Sequence, residues 1–131
     1  MSAFRGWGPV LPYALLIMVL SLLPSSEAEE HIIGVDKVYH ALAYAGLAWL
    51  LMRALSASMP GWKASAVLAA FLAASVFGAF IEFLQSALTD TRTADIYDAV
   101  ANGMGAAFGS IAYRVARPIK KVSHTSPEAR R

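Results

Sequence analysis

Four apolar runs, separated by short polar stretches, set the pattern of this chain. The first, Pro9 to Leu23, carries no charge and ends at the polar, acidic segment Pro24 to Glu30. The second, Val38 to Leu55, is interrupted only by His40, Tyr44 and Arg53, and the third, Ala64 to Gln85, contains one charge, Glu82. The fourth, Ile96 to Val115, carries Asp98 and Asn102 in its first two turns. A helix needs around 20 residues to cross about 30 Å of hydrocarbon, with about 17 as the lower limit, which the first run reaches once Trp7 and Gly8 are included. Connections of roughly 8 to 14 residues make neighbouring helices antiparallel. The pattern predicts an all-α integral membrane four-helix bundle over residues 1–115, followed by a basic, disordered cytoplasmic tail over residues 116–131.

Composition strengthens the membrane reading. Of 131 residues, 57% are hydrophobic and 15% charged, and mean hydropathy is +0.52; soluble proteins are typically about 45–50% apolar. Cysteine is absent, which removes disulfides, zinc–thiolate sites and a cysteine nucleophile. The net charge of +2 is unevenly distributed. In a four-span arrangement Arg5, Arg53, Lys63, Arg114, Arg117, Lys120, Lys121, Arg130 and Arg131 fall on one side. Only Lys37 and Arg92 fall on the other, with Glu27, Glu29, Glu30, Asp36, Glu82, Asp90, Asp95 and Asp98. Because Lys and Arg in short loops stay in the cytoplasm, both termini are expected there. The basic tail then faces anionic lipids, and no nucleic acid partner is expected. A competing reading makes the first run a cleaved secretory signal with Ser26-Glu27-Ala28 as the cleavage site, which would leave three spans and an external N-terminus.

Ionisable groups in or beside spanning helices are costly unless paired or hydrated, so their placement carries the functional information. Asp36, His40 and Tyr44 are spaced i, i+4, i+8 and share a face. Ser75, Gly78, Glu82 and Gln85 form a second stripe, and Asp95, Asp98, Asn102, Gly105 and Gly109 a third, with Arg92 just before it. Packed against one another, the three stripes escape lipid. Gly105 to Gly109 is a small-xxx-small pattern that permits close helix approach.

Bland roles are open to several of these residues. Asp36 suits an N-cap of the second helix, and Asp95 or Asp98 of the fourth. Glu82, near a helix C-terminus, opposes the dipole and needs Arg92, Lys37, His40 or a proton as partner. His40 reads either as a structural histidine or as an acid–base group that donates one ring N–H to Asp36, one turn earlier. Several carboxylates with one histidine would also suit Mg²⁺ or Zn²⁺, yet no known ligand spacing is present, so no metal and no cofactor is expected. His31 and His124 fall in a loop and the tail, while Tyr39, Trp49 and Trp62 read as interfacial aromatics toward helix ends. There is no phosphate-binding loop, Ser-His-Asp order or nucleotide fingerprint.

The ordered series Asp36-Lys37-x-x-His40-x-x-x-Tyr44, Glu82-x-x-Gln85 and Arg92-x-x-Asp95-x-x-Asp98-x-x-x-Asn102-x-x-Gly105-x-x-x-Gly109 resembles the VanZ-like family of small bacterial membrane proteins. The resemblance spans roughly residues 8 to 115, all four runs, which makes the first run part of the pattern. The chain is short for a family whose members often carry extra spans or domains. The resemblance implies a protein of the bacterial cytoplasmic membrane linked to the cell envelope, with low-level resistance to the glycopeptide teicoplanin in the founding member. It implies no settled biochemical activity.

The residues supply a chemical expectation: a site on the extracytoplasmic side that binds or alters an anionic group, such as a lipid-linked wall precursor, a phospholipid head or a glycopeptide. In an enzymatic version His40 is the general acid or base, Asp36 its orienter and Glu82 a second carboxylate. Lys37 and Arg92 supply cations, with Tyr44, Gln85, Asp95, Asp98 and Asn102 as further binding residues. Membrane lipids and a second copy of the chain are the other expected partners. A membrane scaffold with a purely structural cluster is the leading alternative. A small transporter is weaker, because the cytoplasmic half of every run is almost wholly apolar and no inverted repeat is evident.

Overall fold

Each apolar run folds as one helix, and the last three helices outlast the apolar stretches that announce them. A computed structural model describes residues 6–23, 34–59, 61, 63–88 and 95–117. The helices are α1 (Val10–Leu22), α2 (Val35–Ser58), α3 (Lys63–Leu88) and α4 (Ile96–Ala116), with no strand among the described residues. Hydropathy marks only the apolar part of a helix. Asp36 and Lys37 therefore lie inside α2 although they precede the apolar run that predicts it.

Gly34, at φ +99°, occupies the N-cap of α2 without a side-chain hydrogen bond, and Asp36 sits in the first turn. The expected Asp36 cap is thus replaced by a left-handed glycine, a conformation that L side chains rarely adopt. At α4 the capping expectation is met: Asp95 accepts a 2.8 Å hydrogen bond from the Tyr97 amide.

Contacts between helices give the topology. The phenol of Tyr13 packs where Gly46 leaves room, and Trp7 Nε1 donates to Ser58 Oγ at 3.0 Å, so α1 and α2 are antiparallel. Tyr44 meets Phe77 at a 6.3 Å ring separation, while His40 lies beside Glu82, so α3 is antiparallel to α2. α2 and α4 run parallel and form the most extensive interface: Lys37 faces Asp98, His40 faces Asn102, and Trp49 packs edge-on against Tyr113 at 5.1 Å. Between these pairs Gly105 and Gly109 press on the backbone of Ala41 and Ala45.

Two ends result. One gathers Ser21, Asp36, Lys37, His40, Glu82, Gln85, Asp95 and Asp98; the other holds Arg53, Ser58, Arg114 and Arg117, and the described chain both starts and finishes there. Trp49 departs from its expected interfacial position, because it lies in the middle of α2, partly buried against the core. Trp62 lies outside the described residues.

Alanine is frequent in the interior, and many large apolar residues lie on the exterior. Ala48, Ala54, Ala70, Ala74 and Ala106 are fully buried, whereas Leu11, Leu68, Val76, Phe83, Met104, Phe108 and Val115 are more than half exposed. Tyr44, Met52 and Ile81 are the large apolar side chains fully buried among them, and the wealth of small residues at the helix contacts is typical of helices packed within a membrane. α2 and the stretch Ala64–Leu88 are long and apolar enough to cross a membrane, while α1 is apolar but shorter. Two of the four expected spans thus reach that measure among the described residues.

Candidate functional site

The polar end is built by three helix faces whose residues recur every three or four positions. On α3 a stripe of small side chains, Ala66, Ala70, Ala74 and Gly78, continues into Glu82, which is 6% exposed, and Gln85, 3% exposed. On α4 the corresponding stripe is Asp98, Asn102, Gly105 and Gly109, with Asn102 1% exposed. The absent side chains of Gly105 and Gly109 bring the α4 backbone against α2, and that approach sets Asp98 and Asn102 opposite Lys37 and His40.

Lys37 is the hub of the outer layer. Its Nζ donates to Asp98 Oδ1 at 2.9 Å, Asp36 Oδ2 at 3.0 Å and Asp95 Oδ2 at 3.1 Å. One cation is thereby shared among three carboxylates, and the expected free positive charge is already engaged. Asp95, outside the helices, is held below the usual carboxylate range chiefly by the Tyr97 amide and then by Lys37.

Below it lies His40. Its Nδ1 is 3.0 Å from Asn102 Oδ1, an oxygen that only accepts, so Nδ1 carries the proton and Nε2 holds the free lone pair. Asn102 therefore orients the imidazole in the position expected of Asp36, which bonds Lys37 instead and is half exposed. A helical partner one turn away competes poorly here with a residue delivered across the α2–α4 seam. His40 Nε2 stands 3.8 Å from Asp98 Oδ2, and His40 Nδ1 stands 4.0 Å from Glu82 Oε1. His40, Glu82 and Asp98 each offer a ligand-type atom within 4.8 Å of the others.

Some buried polar atoms of the bundle lack partners among the described residues. Glu82 Oε1, Asn102 Nδ2, Tyr44 Oη, Ser75 Oγ and Ser110 Oγ are all buried without a hydrogen bond. Orphaned buried groups of this kind are rare in folded proteins and mark strain, a function or an absent ligand. Ser110, eight residues along α4 from Asn102, stands about 12 Å from it along the helix and is not part of the polar end.

Of the expected site residues, the structure brings together Asp36, Lys37, His40, Tyr44, Glu82, Asp95, Asp98 and Asn102. Gln85 stands at the same end but donates from Nε2 to the Ser21 carbonyl at 2.8 Å, tying α3 to the last turn of α1. Arg92 lies outside the described residues. Chemically the arrangement offers an oriented imidazole, two nearby carboxylates and unpaired donors, in surroundings where one cation faces four acids.

The family model VanZ/LLP1 matches residues 10–117, a range that takes in all four helices. No curated protein and no solved structure matches the chain.

Proposed function

This chain belongs to the VanZ/LLP1 family, and from that premise we propose that it is a multi-span protein of the bacterial cytoplasmic membrane with an extracytoplasmic site that binds the head of an anionic envelope molecule. Its membrane placement is supported by the many large apolar side chains exposed around a core rich in alanine. Outside lipid, so much contiguous apolar surface would drive aggregation. A cytoplasmic position of the end opposite the site is supported by Arg53, Arg114 and Arg117 there and by the basic residues that follow in the sequence. A membrane-anchored molecule, such as a lipid-linked wall precursor, presents its polar head at the depth of the remaining end.

One observation carries the binding role: Glu82 Oε1, Asn102 Nδ2 and the Tyr44 hydroxyl are buried and unpaired together, beside an oriented His40. A cluster serving only to lock helices would satisfy its own members. Lys37, held by three carboxylates, is part of the frame, so donors such as Asn102 and Tyr44 meet the ligand, with Arg92 as the second cation. Should the protein also turn its ligand over, His40 Nε2 is the base and Glu82 the second carboxylate, with Asn102 as orienter.

A scaffold role is favoured by the pairs already closed, namely Lys37 with its three acids and Gln85 with Ser21. One experiment separates the readings. The wild type, His40→Ala and Glu82→Gln are expressed to equal membrane levels in a glycopeptide-susceptible host, and teicoplanin susceptibility is measured. Lowered susceptibility with the wild type, lost in both variants, supports the site; equal susceptibility with all three removes it from the function. Orientation is tested separately with single cysteines in this cysteine-free chain. Ser86→Cys should react with an impermeant thiol reagent in intact cells, and Ser56→Cys only after permeabilisation.

A further inference from the structure

We propose that His40, Glu82 and Asp98 hold a divalent transition-metal ion of the Zn²⁺ or Mn²⁺ class. The inference deepens the binding role proposed for this end of the molecule, although the ion's site rests on its own geometry. Three helices contribute one ligand each, and their donor atoms lie within 4.8 Å of one another. The separation of His40 Nε2 from Asp98 Oδ2, 3.8 Å, is too long for a hydrogen bond, and Glu82 Oε1 stands nearest the other ring nitrogen, 4.0 Å from Nδ1. The 3.8 Å separation fits two donors on a shared ion, whose bonds of about 2.0–2.2 Å allow at most about 4.2–4.4 Å across it, and Glu82 joins them by swinging its carboxylate toward the Nε2 side.

The second, independent observation is Glu82. Its side chain is 8% exposed, and Oε1 is buried without a hydrogen-bond partner, 4.0 Å from His40 Nδ1. A buried carboxylate oxygen with no donor is costly, and a cation removes that cost. Glu82 Oε1 makes no hydrogen bond of proper length, the neighbouring donor being Asn102, so coordination would satisfy it without breaking one.

The surrounding residues have the roles that outer-sphere partners play in metal sites. A ligating histidine commonly donates its second ring N–H to a nearby acceptor, which fixes the tautomer and turns the other nitrogen to the ion. Asn102 Oδ1 accepts from His40 Nδ1 at 3.0 Å and leaves Nε2 available. Lys37 occupies Asp98 Oδ1 at 2.9 Å and leaves Oδ2 on the imidazole side. One imidazole nitrogen with two carboxylate oxygens suits Zn²⁺ or Mn²⁺ better than Mg²⁺, which prefers oxygen alone. The sequence shows no metal motif because the three ligands stand on separate helices, at positions 40, 82 and 98. Three protein donors leave coordination positions for the oxygens of an anionic head, supplying the positive charge that Lys37 no longer offers.

The test uses the full chain, freed of any affinity tag, in non-ionic detergent without added lipid. Calorimetric titration with Zn²⁺ and visible absorption with Co²⁺ should each report one ion per chain. The double variant His31→Ala/His124→Ala should bind as the wild type does. His40→Ala and Glu82→Gln should each weaken binding by roughly 100-fold or more, with circular dichroism and gel filtration confirming that the variants stay folded. A measurement free of folding effects uses the His31→Ala/His124→Ala protein loaded with Mn²⁺, in which electron spin-echo modulation should show one imidazole nitrogen on the ion. No binding, binding undiminished in both His40→Ala and Glu82→Gln, or Mn²⁺ without a nitrogen ligand would overturn the site. Loss of the susceptibility phenotype alone would not, since metal binding is read without a lipid or antibiotic.

Discussion

Gly105 of α4 lies directly over Ala41 of α2: a Cβ added at Gly105 would overlap the Ala41 carbonyl oxygen and come within 2.7 Å of its carbonyl carbon. Four residues on, Gly109 repeats the relationship with Ala45. The obstacle at each position is backbone, which cannot swing aside. The two glycines therefore set how near α4 comes to α2, and with it the distance from Asn102 to His40. Gly105→Ala should destabilise the protein by about 1–3 kcal/mol, as overpacking does, despite the better helix propensity of alanine. Gly103, with nothing within 4 Å of its added Cβ, is the control, and Gly103→Ala should be neutral or stabilising by up to about 1 kcal/mol. Thermal unfolding in detergent compares the two; equal midpoints would show that the seam yields.

Lys37 balances three acids, so its loss should cost more than the loss of any one of them. In Lys37→Met the carboxylates of Asp36, Asp95 and Asp98 are left facing one another without their common donor. The unfolding midpoint is expected to fall clearly further than in Asp36→Asn, which removes the most exposed partner. Similar midpoints for the two variants would make Lys37 a spectator.

Gln85 completes the last turn of α1. Carbonyls there have no intrahelical donor, and that of Ser21 receives Gln85 Nε2 at 2.8 Å. Gln85→Leu keeps the bulk and removes the donor. A loss of about 1–3 kcal/mol is expected from the orphaned carbonyl. Amide exchange should rise in α1 with little change in α4; protection unchanged in α1 would rule out the tie.

Acid should weaken the start of α4 through Asp95. Because the folded-state value is lowered, its ionised form contributes stability that is fully present above the ordinary value of 3.8 and disappears as pH falls through the folded value. The stability difference between the wild type and Asp95→Asn should shrink between about pH 5 and pH 2. A difference constant across that range would assign the cap to hydrogen-bond geometry rather than charge.

The sequence by itself determined the four helices, which polar residues they carry, and the end at which those residues collect. Apolar runs between polar stretches leave the backbone little choice in a nonpolar solvent, and short connections force alternation, so the acids and His40 had to meet at one end. Tertiary structure alone decided the partners. Asp36 is one turn from His40 along the chain, yet Asn102, 62 residues away, makes the bond, because the glycine seam carries α4 against that face. Lys37 was legible as a cation but not as one already shared by three acids, and nothing in the spacing marks Glu82 Oε1 as unpaired. Periodicity specifies the direction in which a side chain leaves its own helix; the atom it meets depends on the rotation and closeness of neighbouring helices, which are fixed only when all their surfaces pack together.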